Sequence, residues 1–392
     1  MYREQIALGG PVSYNFDREI DRRGSGSLKW DKYRDTDILP MWVADMDLPM
    51  ADEISHAMSQ RMEHPFMGYT VATETTSAAV CDWLRSEFDW DVSPDHLVWL
   101  PGVVPGMWAA CAAVGAPGDE AVFSTPIYHH FFHVPGQGGK TAKPVPLLRE
   151  PSGRWTYDFD ALNAAMSART RLMLLCSPHN PTGTLFSVEE QQRMAQLCEA
   201  QDLVILSDEV HNGLVLSESN KHVPLAKAYP ACRDRLITLM SPSKTFNLAG
   251  MQCAFAIIEN PQLRRQYIQA MHSVLPQPAT LAFTALEAAF THGKAWHDGL
   301  IAHLRKNHAL LETAIAAMPG LSMSPMEATY LAWLDTSALG VENPMGFFET
   351  HGVGLSAGAD FGRADFLRLN FACPQPQLEL ALTRMRTAIE SR

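Results

Sequence analysis

Cysteine is scarce and unpatterned in this chain. Seven occur among 392 residues, an odd number, with no Cys-x-x-Cys pair. That usage argues against a disulfide framework and reads as reduced thiols in a cytoplasmic protein. Long apolar runs are missing too: nothing approaches the roughly 18 uninterrupted apolar residues of a membrane span. The opening Met1-Tyr-Arg-Glu-Gln5 lacks the apolar core of a secretory leader, so none is expected. Positive charge is in deficit, with 31 Lys and Arg against 43 Asp and Glu and a net charge of −12. With no long basic run, nucleic acid is not an expected partner. Internal repeats, low-complexity tracts and Gly/Ser linkers are also absent.

What is present describes a soluble globular protein, 46% hydrophobic and 19% charged, long enough for two domains and a large core. The central stretch alternates short apolar runs with helical patterns, which predicts an α/β fold: a mostly parallel sheet with helices on both faces. Expected strands are His96–Leu100, Ala121–Ser124, Leu172–Cys176, Leu203–Ser207, Leu236–Met240 and Ala254–Ile258. Ser187-Val-Glu-Glu190 has the form of a capping box opening a helix to about Ala200. After Pro261 the pattern is helical to about Met318. Strands at Tyr330–Leu334 and Phe366–Phe371 and a last helix from Gln375 predict a smaller α+β domain. The expected division is 50–290 for the large domain, and 1–49 with 291–392 for the smaller one, including an irregular N-terminal arm.

Three residues far apart in the chain suggest one chemistry. Lys244, in Ser241-Pro-Ser-Lys-Thr-Phe-Asn-Leu-Ala-Gly250, closes an expected strand among small and hydroxylated residues. Asn180 lies in Ser177-Pro-His-Asn-Pro-Thr-Gly183, and Asp208 in Leu206-Ser-Asp-Glu209. All three fall just past strand C-termini, the edge where ligands collect in open α/β sheets. An amine, an amide and a carboxylate are what pyridoxal 5'-phosphate needs: a Schiff-base partner, a ring-hydroxyl donor and a partner for the pyridinium nitrogen. Each has a structural alternative: Asp208 as a strand-end turn cap, Asn180 as turn chemistry. Together they favour the cofactor. His211 could reach the same ring or be structural; Tyr128 could stack on the ring or be packing. Pro101-Gly-Val-Val-Pro-Gly106, between a strand and a helix, suits a phosphate, and the Ser241 and Ser243 hydroxyls could complete the cup.

Other motifs fail. Gly354-Leu-Ser-Ala-Gly358 matches a hydrolase elbow, but no histidine follows Ser356. Gly139-Lys-Thr141 lacks the earlier glycine of a P-loop, since that position is Val134. His129, His130 and His133 lack a neighbouring carboxylate or cysteine motif, and Phe131 and Phe132 argue for packing over a metal.

The order Pro-Gly loop, Tyr, Asn-Pro-Thr-Gly, Asp, Lys resembles the fold-type I enzymes of the class I/II aminotransferase superfamily. Asp21-Arg-Arg-Gly24, Lys29-Trp-Asp31, Leu39-Pro-Met-Trp-Val-Ala-Asp-Met-Asp47, Gly68-Tyr-Thr70, Ser207-Asp-Glu-Val-His211 and Ser243-Lys-Thr-Phe-Asn-Leu-Ala-Gly250 are similar to the MalY/PatB-type cystathionine β-lyases. Those are carbon–sulfur lyases acting on cysteine S-conjugates. The resemblance implies Lys244 as Schiff-base lysine and proton shuttle, Asp208 as pyridinium partner, Asn180 on the ring hydroxyl and Tyr128 stacked on the ring. It gives Val103 and Val104 N–H groups and the Ser241 hydroxyl to phosphate. It also implies Arg368 on the substrate carboxylate, and Tyr69 reaching the phosphate of a second subunit in a homodimer with shared sites. Without the resemblance, Arg368 reads as an edge-strand surface charge. His211 and Gln252 stand where aspartate-type aminotransferases carry tyrosine and arginine, which favours the lyases. Gly136-Gln-Gly-Gly-Lys140 is unusually glycine-rich and is expected near the site entrance.

The expected reaction is α,β-elimination from L-cystathionine or a related sulfur amino acid, giving thiol, pyruvate and ammonia. An aminotransferase is the nearest alternative. A protein that binds a transcription regulator is the alternative of another class.

Overall fold

The computed structural model describes residues 14–392; residues 1–13, the outer part of the expected arm, lie outside the described residues. The expected strands form, Leu236–Met240 with the expected bounds and the others with ends shifted by at most two residues. They are β1 (Leu97–Leu100), β2 (Glu120–Thr125), β4 (Thr170–Cys176), β5 (Val204–Asp208), β6 (Leu236–Met240) and β7 (Ala254–Ile257), joined by an unexpected β3 (Thr141–Pro146). They make one seven-stranded sheet in the order β1-β7-β6-β5-β4-β2-β3. Only β7 runs antiparallel to its neighbours.

Alternation along each strand divides the core. Val122, Met173 and Ile205 face one apolar cluster, while Ala121, Phe123, Leu172, Leu174 and Leu206 face another. Both faces are covered, so these strands read as continuous apolar runs rather than alternating ones. Helix α1 (Val103–Ala113) follows β1, and α2 (Val188–Ala200) opens on a formed capping box, with the Glu190 N–H donating to Ser187 Oγ at 3.2 Å and the Ser187 N–H to Glu190 Oε2 at 2.8 Å.

Helices α3 (Pro261–Met271), α4 (Thr280–His292) and α5 (Lys294–Ala316) follow. A four-stranded antiparallel sheet comes next, with β8 (Ser322–Met323), β9 (Leu331–Asp335), β10 (Ser356–Ala357) and β11 (Phe366–Asn370) in the order β8-β9-β11-β10. Helix α6 (Gln375–Glu390) ends the chain. Leu39–Pro40 pairs with Val353–Gly354, so the N-terminal segment joins this smaller layer and then crosses to the large sheet.

Candidate active site

Asp208 is the last residue of β5, registered against Cys176 on one side and Leu239 on the other. That register brings its carboxylate to the C-terminal edge of the sheet, where it is 4% exposed. Its Oδ1 accepts one hydrogen bond, from the Val210 N–H at 3.2 Å, and among the described residues it has no ion-pair partner. Burial pushes the carboxyl up to about 7, against the pull of that N–H and of Lys244. Next along the edge, Ser241 follows β6 and caps a short turn, Pro242–Thr245, by accepting from the Ser243 N–H at 3.0 Å. This turn projects Lys244, whose Nζ donates to Ala44 O at 2.8 Å. Burial and then the nearby Arg368 charge lower the amine to about 8, with Asp45 and Asp208 opposing.

Asn180 follows β4, and its Oδ1 accepts from Arg368 Nη1 at 3.0 Å. The Asn-Pro-Thr-Gly turn is fixed at its end by Gly183, with φ at +70°, where a Cβ would lie 2.5 Å from Met326 Cβ. Only glycine suits that position. Arg368 sits in β11 between Trp333 and Ser356. The edge-strand surface reading is therefore corrected: Arg368 is in an interior strand and 5% exposed. Its Nη2 donates to Trp42 O at 3.1 Å, and its guanidinium lies 4.5 Å over the Phe361 ring. Burial lowers even this group, to about 10.

The other expected residues converge on the same cavity, of about 660 Å³. Val103 and Val104 open α1, whose start no side chain caps, leaving backbone N–H groups to offer. Ser241 and Ser243 line the opposite approach, although Ser241 Oγ donates to Cys253 O at 2.7 Å. Tyr128 lines the wall with His129, their rings 4.5 Å apart. His211 is buried, its Nδ1 makes no hydrogen bond, and burial holds the ring well below its ordinary pKa. Tyr69 stands apart, fully exposed and outside the cavity lining. The Gly136–Lys140 segment also stays outside: Gly138 packs against Cys111, and no residue from 136 to 140 lines the cavity. No cluster of metal-ligating side chains occurs among the described residues.

Sequence reasoning missed the wall opposite the sheet edge. The strap Trp42–Leu48 lines the cavity through Trp42, Val43 and Ala44 and contributes backbone oxygens. Trp42 O accepts from Arg368 and from Ser356 Oγ, Val43 O from Asn370 Nδ2 at 2.7 Å, and Ala44 O from both Lys244 Nζ and Tyr330 Oη, the latter at 3.0 Å. Asn247, three residues beyond Lys244, clasps the strap: Nδ2 donates to Met46 O and Leu48 O while Oδ1 accepts the Met46 N–H. Buried charge holds the far side, where Lys29 Nζ lies 2.8 Å and Arg22 Nη1 2.6 Å from the Asp47 carboxylate. The run Leu39–Asp47 carried the resemblance, yet carbonyl acceptors leave no mark in a sequence. Ser356, Asp360 and Phe361 were also missed. Ser356 belongs to the rejected elbow and serves here as an acceptor for Arg368, at 3.4 Å.

The family model "Aminotransferase class I and II" matches residues 43–385. The chain belongs to that family. Among its relatives, cystathionine beta-lyase PatB of Bacillus subtilis is 35% identical over 96% of this chain and 100% of its own. The OvoB crystal structure is 42% identical, with a TM-score of 0.94, covering 97% of this chain and 100% of that one. Cystalysin from Treponema denticola, whose structure contains a pyridoxal 5'-phosphate cofactor, is 28% identical with a TM-score of 0.93 over 97% of this chain and all of that one. For a member of this family, the unpaired Asp208 carboxylate and the unsatisfied His211 Nδ1 and Arg368 Nε, all on residues lining the cavity, are the kind of groups a cofactor and substrate would satisfy.

Proposed function

We propose that this chain is a pyridoxal 5'-phosphate-dependent carbon–sulfur β-lyase, cleaving L-cystathionine or a related cysteine S-conjugate to a thiol, pyruvate and ammonia. One observation carries the reading: Asp208, a buried carboxylate without a cationic partner, shares a cavity with a lysine whose amine is lowered to about 8. A carboxylate left unpaired in such a place is costly. A protonated pyridine nitrogen would relieve that cost. The residues fit this cofactor. Lys244 would bind its aldehyde carbon, Asp208 its ring nitrogen and Asn180 its ring hydroxyl. Tyr128 and His211 would flank the ring, and the Val103 and Val104 N–H groups with Ser241 and Ser243 would hold its phosphate. When bound, the pyridinium ring supplies an electron sink for negative charge at the substrate Cα.

The chain's own groups do the rest. The Arg368 guanidinium, held by Asn180 and Trp42 O and lining the cavity, would bind the substrate carboxylate. That anchoring sets which bond at Cα faces Lys244. Near pH 8 the Lys244 amine exchanges its proton readily, so Nζ can take the Cα proton and return one to the departing sulfur. The strap carbonyls and buried walls limit water around these transfers. PatB's name supports the substrate class, and His211 and Gln252 favour lyase over aminotransferase.

A homodimer with shared sites is part of the same reading. Its support is the exposed apolar run of Met62, Phe66, Met67, Tyr69 and Val71, more than a free surface usually carries. Tyr69 would then serve the neighbouring subunit's phosphate.

The test is product analysis of purified protein supplied with the cofactor and L-cystathionine. Thiol and pyruvate should appear in equal amounts with no keto acid added. A strict need for a keto acid, without thiol release, would replace this reading with transamination.

A further inference from the structure

One group on the cavity wall is left unused by the chemistry above. Asp360 lies in the short turn Gly358–Phe361 and lines the cavity with an exposed carboxylate. Among the described residues it has neither a hydrogen bond nor an ion pair. Arg368 makes no hydrogen bond or ion pair with it, since that guanidinium donates to Asn180, Trp42 O and Ser356, although the two opposite charges attract each other across the cavity. The turn is firmly set: the Ile127 N–H donates to Phe361 O at 3.0 Å, and Gly358 is packed against the Arg363 and Phe366 carbonyls. Phe361 supports Arg368 on its ring face and meets His129 with centroids 6.5 Å apart. Burial keeps His129 neutral, at about 4, so it adds no compensating charge near neutral pH. Asp208 and Asp360 are the carboxylates of the cavity lining. The first is deep and has a role in the proposed chemistry; the second faces space that the substrate's sulfur substituent must share.

We propose that Asp360 is a specificity-determining residue that selects cysteine S-conjugates whose departing thiol carries a positive charge or N–H donors. The inference rests on the lyase reading and names the substrate class within it. A fixed carboxylate beside apolar walls attracts a cation more strongly than it would in open water and repels an anion by a similar amount. L-Cystathionine carries an ammonium on its departing half, together with a carboxylate.

Two near-isosteric substrates isolate the charge: S-(2-aminoethyl)-L-cysteine and S-propyl-L-cysteine. The wild-type protein, loaded with cofactor, should prefer the aminoethyl compound by about tenfold in kcat/KM, a usual scale for one charge contact. Asp360→Asn should bring that ratio close to one. Asp360→Lys should favour S-carboxymethyl-L-cysteine over the aminoethyl compound. An unchanged ratio in Asp360→Asn overturns the proposal, and so does an equal fall for both substrates, because the residue would then act only through Arg368. Pyruvate from every substrate with an unaltered ratio leaves the lyase reading standing and removes this one. No pyruvate from any S-conjugate removes both.

Discussion

The cavity has two walls built on different principles. On one, Asn180, Asp208 and Lys244 leave the ends of adjacent strands, so sheet register sets their positions. On the other, Trp42–Leu48 faces the cavity through carbonyls, kept in place by Asn247 and by the pairing of its own Asp47 with Lys29 and Arg22. The sheet edge offers the cavity Asp208 and Lys244, which change protonation, whereas the strap offers it backbone carbonyls, which cannot. Altering the first should therefore change chemistry with the fold retained. Altering the second should change stability and substrate binding together.

The largest expected effect belongs to the sheet edge. Lys244→Ala should lower turnover of L-cystathionine by more than about 10³-fold, the scale of a general base, and remove the visible absorbance of the lysine-bound cofactor, with little change in Tm. Retained turnover would dissolve the distinction between the walls.

The second prediction uses pH, in protein stripped of cofactor. Asp208 has a native pKa of about 7 and an unfolded one of about 3.9. Between those values the native state keeps a proton that the unfolded state has released. Stability is therefore fully present below about pH 4 and is lost as pH rises towards 7, by a few kcal/mol. Asp208→Asn cannot titrate, so its Tm should exceed that of wild type at pH 8 and nearly match it at pH 4. A Tm difference independent of pH would contradict the burial assigned to this carboxylate.

The strap supplies the third. Lys29 is fully buried against Asp47, and removing one member of such a pair leaves an under-compensated charge. Lys29→Met should cost about 3 kcal/mol in denaturant unfolding and raise KM more than it lowers kcat, because Trp42 O helps position Arg368. Loss of kcat alone, at unchanged stability, would place the strap with the sheet edge. The smallest effect lies far from both walls. Ser187→Ala removes a cap from α2 and should cost about 1 kcal/mol without changing either kinetic constant; a kinetic change would show that the two regions are not independent.

The same contrast explains what the sequence could reveal. Strands buried on both faces announce themselves as apolar runs, and a lysine, a carboxylate and an amide at their ends are visible as letters. Strand β3 was missed because it follows a glycine-rich turn and contains Pro144 and Pro146, tolerable only because it lies at the sheet edge. Arg368 was legible only through the resemblance, since five residues of β11 give no hint that a neighbour covers each side. The strap was illegible for a plainer reason: any residue has a carbonyl, and only the fold decides which ones point inwards. Asp360 was overlooked because a polar residue between two nearby glycines, Gly358 and Gly362, looks like an ordinary surface turn.

Ala44 O is shared by the amine of Lys244 and the phenol of Tyr330. When the amine swings away to another partner, the phenol stays, and the peptide keeps its seat. A mobile arm thus departs from a fixed mooring, and the chamber around it need not be rebuilt at each turnover.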